Sequence, residues 1–198
     1  MMTKGALALF TANEEMPRNG DQCYPFRQNS DFFYLTGIDR EGAYLILYPD
    51  HPKPEMREIL FIDPNSETKA IWRGEMLDAK QAKEISGCDN VMYADSFNDV
   101  AKELILNSSK VYLNLYEYSR FETKVSTIQD RFVKEIKEQY PLHTFDRSAP
   151  ILNKLRKIKS QEEIEIIKHA CDITGKAFLH CKDTVKPGRY EYEMQAEM

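Results

Sequence analysis

The sequence is most informative at first in what it lacks. No apolar stretch approaches the length needed to cross a bilayer. The opening segment, Met1 to Phe10, has one lysine and a short apolar run, too brief for a secretory signal. Cysteine is scarce and scattered: Cys23, Cys88, Cys171 and Cys181 form no CxxC and do not read as a secreted disulfide scaffold. Neither glycine nor proline is in excess, which argues against a low-complexity chain. With a formal net charge of -5 and no long basic stripe, nothing resembles a nucleic-acid motif. GxGxxG, the phosphate-binding P-loop, HExxH, GxSxG and HxxEH are all missing. These absences leave a cytoplasmic globular protein, with no nucleic-acid or membrane partner expected and no active site readable from motifs.

What is present is ordinary core material. Eleven Tyr, ten Phe and a single Trp in 198 residues are enough for one full hydrophobic core and part of a second. Gly5 to Phe10 is apolar throughout and reads as a buried first strand. Ala43 to Tyr48 and Glu58 to Ile62 read as strands joined through Pro49 to Pro54, whose prolines cannot donate to a ladder. Further strands are expected at Asn90 to Tyr93, at Lys110 to Tyr116 and at His143 to Phe145. Helices are expected over Met76 to Ile85, closed by Gly87, and from an approximate Ser96–Asp99 capping box to Leu106. A long amphipathic helix is expected from Phe121 to Gln139, with Val125, Ile128, Phe132, Val133 and Ile136 on one side. Strands alternating with helices predict an α/β domain over residues 1–150, a mixed sheet covered by helices.

Residues 151–198 read differently. The basic cluster Lys154, Arg156, Lys157 and Lys159 is expected to be a solvated linker. Ser160 and Glu163 then form a capping box, and Ile164, Ile167, Cys171, Thr174, Phe178 and Cys181 recur at spacings of three and four. Cys171 and Cys181 are accordingly expected to be small buried hydrophobes. Pro187-Gly188 breaks this helix, and Tyr190 to Met198 begins another. A stripe of this length needs a surface to bury it, and none is evident, so the chain reads as cut. His169 and His180 are eleven residues apart, about 16 Å along the axis, too far to share a metal ion. His51 and His143 have no sequence neighbours that would make a ligand pair. Trp72 stands out in the segment Thr68 to Gly74, where an aromatic can meet a partner or simply cap its own core.

Four segments carry a family resemblance. Tyr24-Pro-Phe-Arg-Gln-Asn-Ser-Asp-Phe-Phe-Tyr-Leu-Thr-Gly37 resembles the signature region of the N-terminal domain of Xaa-Pro aminopeptidases (aminopeptidase P). Trp72-Arg-Gly74 resembles an aromatic loop of that family, and Leu155 to Gly175 resembles the junction and first helix of its pita-bread catalytic domain. Lys186 to Tyr192 resembles the turn opening the second helix. The resemblance implies a domain like the N-terminal domains of creatinase and prolidase over residues 1–150, a mixed β-sheet flanked by helices. Residues 151–198 are then a linker and the truncated start of the metallopeptidase domain.

Function follows from the same resemblance. It implies a full-length enzyme with two divalent ions, usually manganese, that removes an N-terminal residue preceding proline from peptides. The family's metal ligands lie downstream of the matched region, so this chain is expected to bind no metal and to be inactive alone. Trp72 and Arg147 match positions that face the substrate cleft or a neighbouring subunit of a homo-oligomer, although Arg147-Ser148 departs from the family's Arg-Pro. Alternatives are a prolidase or creatinase-like hydrolase, or a non-catalytic module for dimerisation or peptide binding.

Overall fold

A computed structural model of the chain describes residues 1–64, 71, 74, 77–118 and 124–198. It divides into two compact units, Met1–Asn153 and Lys154–Met198.

The first unit is built on a six-stranded sheet. Its strands are β1 (Ala6–Thr11), β4 (Tyr44–Leu47), β5 (Glu58–Ile62), β6 (Asn90–Tyr93), β7 (Lys110–Leu113) and β8 (Phe145–Arg147), in the order β6-β5-β4-β1-β7-β8. A small hairpin, β2 (Pro17–Asn19) and β3 (Gln22–Cys23), stands apart. β1 pairs parallel with β7 and β7 parallel with β8, while β1, β4 and β5 pair antiparallel and β5 and β6 parallel. The mixed sheet matches the expectation from the sequence.

Every residue of β1 is buried, because both faces of the sheet are covered. On one face Ala6, Ala8, Phe10, Leu45, Leu60 and Ile62 pack with Phe32 of α1 (Ser30–Thr36), Ala82 of α2 (Ala79–Ser86) and Leu152 of α5 (Ala149–Lys157). On the other, Leu7, Leu9, Ile46, Ile59 and Phe61 pack with α3 (Phe97–Leu106) and α4 (Ile128–Gln139). Phe97 is the hub of that layer, stacked on Tyr44 at 4.2 Å and edge-on to Phe61 at 5.3 Å. Burial among these groups raises the Tyr44 phenol, helped by the charges of Glu135 and Asp63. The thiol of Cys88, also buried, is pushed up to about 12, first by burial.

Several expected boundaries move. The amphipathic helix starts at Ile128 rather than Phe121, because Thr127 and Asp130 close a capping box there. Val125 precedes that helix and is exposed; Phe121 lies outside the described residues. Met76 is outside them too, and α2 begins at Ala79 behind the Asp78–Gln81 box. The strand expected to reach Tyr116 stops at Leu113, and the last strand is Phe145–Arg147, paired from Val111↔Phe145 to Leu113↔Arg147. Ser96 does not cap α3: its hydroxyl donates to the Tyr93 carbonyl at 2.7 Å and its backbone is already helical. Helix α1 was not expected at all. Asn29 Oδ1 caps it by accepting from Asp31 N and Phe32 N, and Gly37 (φ 67°) ends it with an N–H bond to the Phe33 carbonyl.

The second unit holds the rest of α5, then α6 (Gln161–Thr184) and α7 (Glu191–Glu197). Lys154, Arg156 and Lys157 form the last turn of α5, where cations complement the helix dipole, so the expected linker is helical there. Ser160 caps α6 as expected, its Oγ accepting from Glu163 N at 3.2 Å while Glu163 Oε2 accepts from Ser160 N at 2.8 Å. Cys171 is exposed and Cys181 half-buried, against the expectation that both are core, since no residue of α6 is buried.

Candidate functional site

Polar groups in the first unit collect at the carboxyl ends of the parallel strands β1, β7 and β8. In open α/β sheets ligands are bound outside such ends. Each strand leaves the sheet there through a polar residue: Asn13 shortly after β1, Asn114 immediately after β7, and Arg147-Ser148 at the end of β8. The N-terminus of α1, with Asn29 and Asp31, arrives at the same place.

Three networks hold this edge. Ser148 Oγ donates to Asn114 Oδ1 at 2.7 Å, and Ser148 N donates to the Leu113 carbonyl at 3.0 Å, tying the exits of β7 and β8 together. Asn114 Nδ2 reaches Asp31 Oδ2 at 3.4 Å, which links α1 to the same corner. Beside it, buried Gln28 accepts from Asn13 N (2.7 Å) and Asn29 N (2.9 Å) and donates to the carbonyls of Ile38 (3.0 Å) and Arg40 (2.7 Å). Asn13 in turn donates to the Arg27 carbonyl and accepts from buried Gln129, both at 2.7 Å. Among the described residues no buried side-chain polar atom lacks a partner. Such satisfied networks fix side-chain positions closely.

Arg147 stands on the solvent side of this corner. Its Nε donates to Glu117 Oε1 at 2.7 Å and its Nη2 to Glu117 Oε2, a bidentate pair. The Arg147 hydrogen bond is the main reason the Glu117 carboxyl lies below its ordinary range, against a smaller opposing effect of partial burial. Asp146 is lowered as well, by the Arg147 backbone N–H and then by the Lys110 ammonium. Tyr116 and Tyr118, on either side of Glu117, are exposed with ring centroids 6.2 Å apart.

Of the two residues singled out from the sequence, Arg147 falls at this edge, whereas Trp72 lies outside the described residues. Asp31, Asn114, Glu117 and Ser148 were not singled out. The one local signal was that a polar residue, Asn114, follows directly on the apolar run that ends at Leu113.

The described side chains at this edge offer no activated nucleophile. The Ser148 proton goes to a neutral amide oxygen, which is not a general base. A serine–histidine contact does occur, Ser108 Oγ to His143 Nε2 at 3.1 Å, but Ser108 also donates to the Ile105 carbonyl at the end of α3, before β7 begins. A separate cavity of about 560 Å³ is lined by Glu15, Asp39, Glu41, Asp63 and Arg40 over an apolar floor. Gly42 (φ 70°) lets the chain pass Asp63 there, where an added Cβ would come within 3.0 Å of the Asp63 Cβ. Among the described residues no three His, Cys, Asp or Glu side chains gather to hold a metal ion, so they do not fit the two-metal set that the resemblance implies. No described helix is long and apolar enough to cross a membrane.

Comparison with known proteins places this architecture. The family model for the aminopeptidase P N-terminal domain matches residues 1–112. The Xaa-Pro aminopeptidase of Escherichia coli (strain K12) is 30% identical over 199 residues, covering 100% of this chain and 45% of the relative. That of Haemophilus influenzae is 30% identical over 200 residues, covering 100% of this chain and 43% of the relative. The chain thus spans about half the length of the curated relatives it matches. A solved Escherichia coli aminopeptidase P superposes with a TM-score of 0.80 at 28% identity, covering 99% of this chain and 44% of that one. A Bacillus anthracis structure provisionally assigned as an aminopeptidase P gives 0.84 at 30% identity, covering 99% and 46%.

Proposed function

This chain belongs to the aminopeptidase P N-terminal domain family, and on that premise we propose that it is the non-catalytic N-terminal part of a metal-dependent Xaa-Pro aminopeptidase. The carrying observation is the end-to-end match to slightly under half of Xaa-Pro aminopeptidases. In this reading the full-length enzyme hydrolyses the bond between an N-terminal residue and a following proline. The metal ions, manganese by resemblance, are held by residues outside these 198 and supply the activated water. The present residues bind and orient. The polar edge of β1, β7 and β8 faces the peptide cleft, with Arg147 as a charged contact and Trp72 as an aromatic one toward a neighbouring subunit of a homo-oligomer. A domain over the cleft mouth excludes internal peptide segments, which an exopeptidase must do. A cytoplasmic location belongs to the same proposal.

Helix α6 supports this reading from a second side. Ile167 and Phe178 belong to the stripe seen in the sequence, but Ile166 and Ile173 are equally exposed, and neighbouring residues on a helix point about 100° apart. An apolar surface spread over that much of a helix is characteristic of one covered on more than one side. Further parts of a catalytic domain would provide that cover.

The test is peptide hydrolysis by the protein expressed from the full reading frame and by the 198-residue chain, each with manganese and a peptide carrying proline second. The expected result is release of the N-terminal residue by the full-length protein and none by the chain alone. Cleavage by the chain alone, or a full-length protein inactive on such peptides, contradicts the proposal. Within the active enzyme, Trp72→Ala should alter the kinetics of longer peptides more than those of dipeptides; equal effects would remove the cleft role of Trp72.

A further inference from the structure

A recess of about 290 Å³ opens where β1 leaves the sheet. Its walls are apolar. Met16, Tyr24, Pro25 and Phe26 come from the root of the β2–β3 hairpin, and Val125 and Ile128 from the start of α4. Two of its polar members, Asn13 and Gln129, are groups that already tie the end of β1 to its surroundings.

Hydrogen bonds fix the two walls relative to each other. Asn13 accepts from Gln129 Nε2 and donates to the Arg27 carbonyl, each at 2.7 Å, so one side chain joins α4 to the hairpin root. The Glu14–Arg131 ion pair makes a second tie between the exit of β1 and α4. Within the hairpin, Tyr24 N donates to the Met16 carbonyl at 2.9 Å, which pairs those two residues across it. A recess held in this way is formed before anything enters it, so filling it orders little of the protein. Its lips nevertheless stay in water: Met16 is 39% exposed, Tyr24 55% and Val125 58%.

Size and charge select the occupant. Ligand pockets run to about 300–1,000 Å³, so this one sits at the small end, and a partner helix, about 10–12 Å across, is too thick for it. One side chain is the unit that fits. Among the described lining residues the only carboxylate is Glu14, which Arg131 already engages, whereas Arg27 stands in the lining and Arg18 lies 5.7 Å from the centre of the Tyr24 ring. A cationic side chain would enter against those two guanidinium groups. We propose that this recess takes one uncharged apolar side chain of a peptide substrate, from a residue that follows the proline. The inference rests on the peptidase reading above, which puts this end of the sheet at the peptide cleft, and it adds a sequence preference beyond the second position.

The test uses the full-length enzyme and the peptide Ala-Pro-Gly-Gly-Gly, with leucine or lysine replacing one glycine at a time. At one of the three positions leucine should raise kcat/KM about three- to tenfold over glycine, the return on partly burying one aliphatic side chain, and lysine should not. Met16→Asp and Val125→Asp alter exposed residues on opposite walls, and each should bring the leucine–glycine ratio at that position toward one. Sedimentation velocity on the same proteins reports whether either change disturbs subunit association. A wild type indifferent to leucine at all three positions overturns the proposal. A preference that survives in both variants overturns it as well, since the side chain is then read elsewhere. Altered sedimentation with an unchanged ratio makes this face a subunit contact and overturns the peptide as occupant. Each of these leaves the peptidase reading intact, whereas a wild type that cleaves none of the peptides defeats that reading and the proposal with it.

Discussion

In Met1–Asn153 the apolar side chains of the central strands are covered on both faces, whereas in Lys154–Met198 no residue of α6 or α7 is buried. The apolar run of β1 and the stripe of α6 are both clear in the sequence, but only the stripe was expected to lack a surface to cover it. The difference lies in what each pattern finds to pack against. β1 has strand neighbours on both edges and helices on both faces, so its pattern becomes a core. The pattern of α6 remains a surface, held as a helix by its capping box and backbone bonds. An apolar stripe identifies a face that is to be buried and says nothing about where the burying surface lies.

Substitutions can break or sharpen this contrast. Phe61→Ala removes a fully buried ring between α3 and the sheet and should cost about 3–5 kcal/mol in denaturant unfolding of this chain. Phe178→Ala in α6, whose ring is exposed, should stay within about 0.5 kcal/mol. Equal costs would erase the contrast. Next in size, Asn114→Ala removes the nearer of the two acceptors of the Ser148 hydroxyl, the Leu113 carbonyl remaining, together with the contact to Asp31, and should cost about 1–2 kcal/mol, read from the same unfolding curve. Ser160→Ala should cost about 1 kcal/mol of α6 helicity, measured by circular dichroism, while the sheet's unfolding midpoint holds. A parallel fall in that midpoint would show the two units to be coupled.

The smallest effect concerns pH. Arg147 holds the folded-state carboxyl of Glu117 below its ordinary range. A group lowered by folding stabilises above its unfolded value, and that contribution disappears as pH falls through the lowered folded value. Wild type and Glu117→Gln should therefore differ slightly in melting temperature near neutrality and converge in acid. A gap that widens in acid would reverse the sign and remove the ion pair as its cause.

The fold was largely legible where long patterns met local chemistry. β1, β5 and β6 lie close to where their apolar runs placed them, and the Ser160 box marks the start of α6. Helix α1 was missed because seven residues are too few to display a period; the usable signals were Asn29 before it and Gly37 after it. The start of α4 was misjudged because the apolar positions continue backward past Thr127, where capping, not hydrophobicity, sets the boundary. The site was less legible still. Asn114 meets Asp31 across 83 positions and Glu117 meets Arg147 across 30, and nothing in local sequence announces such pairings. Arg147 was found only through family resemblance, and its partner Glu117 only through the structure.

Amide hydrogen exchange on the 198-residue chain tests most directly whether the sheet unit is a self-sufficient scaffold and α6 a helix awaiting cover. Amides of β1, β4, β5 and β7 should exchange only through global unfolding, and those of α6 through far cheaper local opening. Protection in α6 equal to that in β1 would contradict the account, because a helix whose Ile166, Ile173 and Phe178 are exposed has little buried apolar contact to hold it closed.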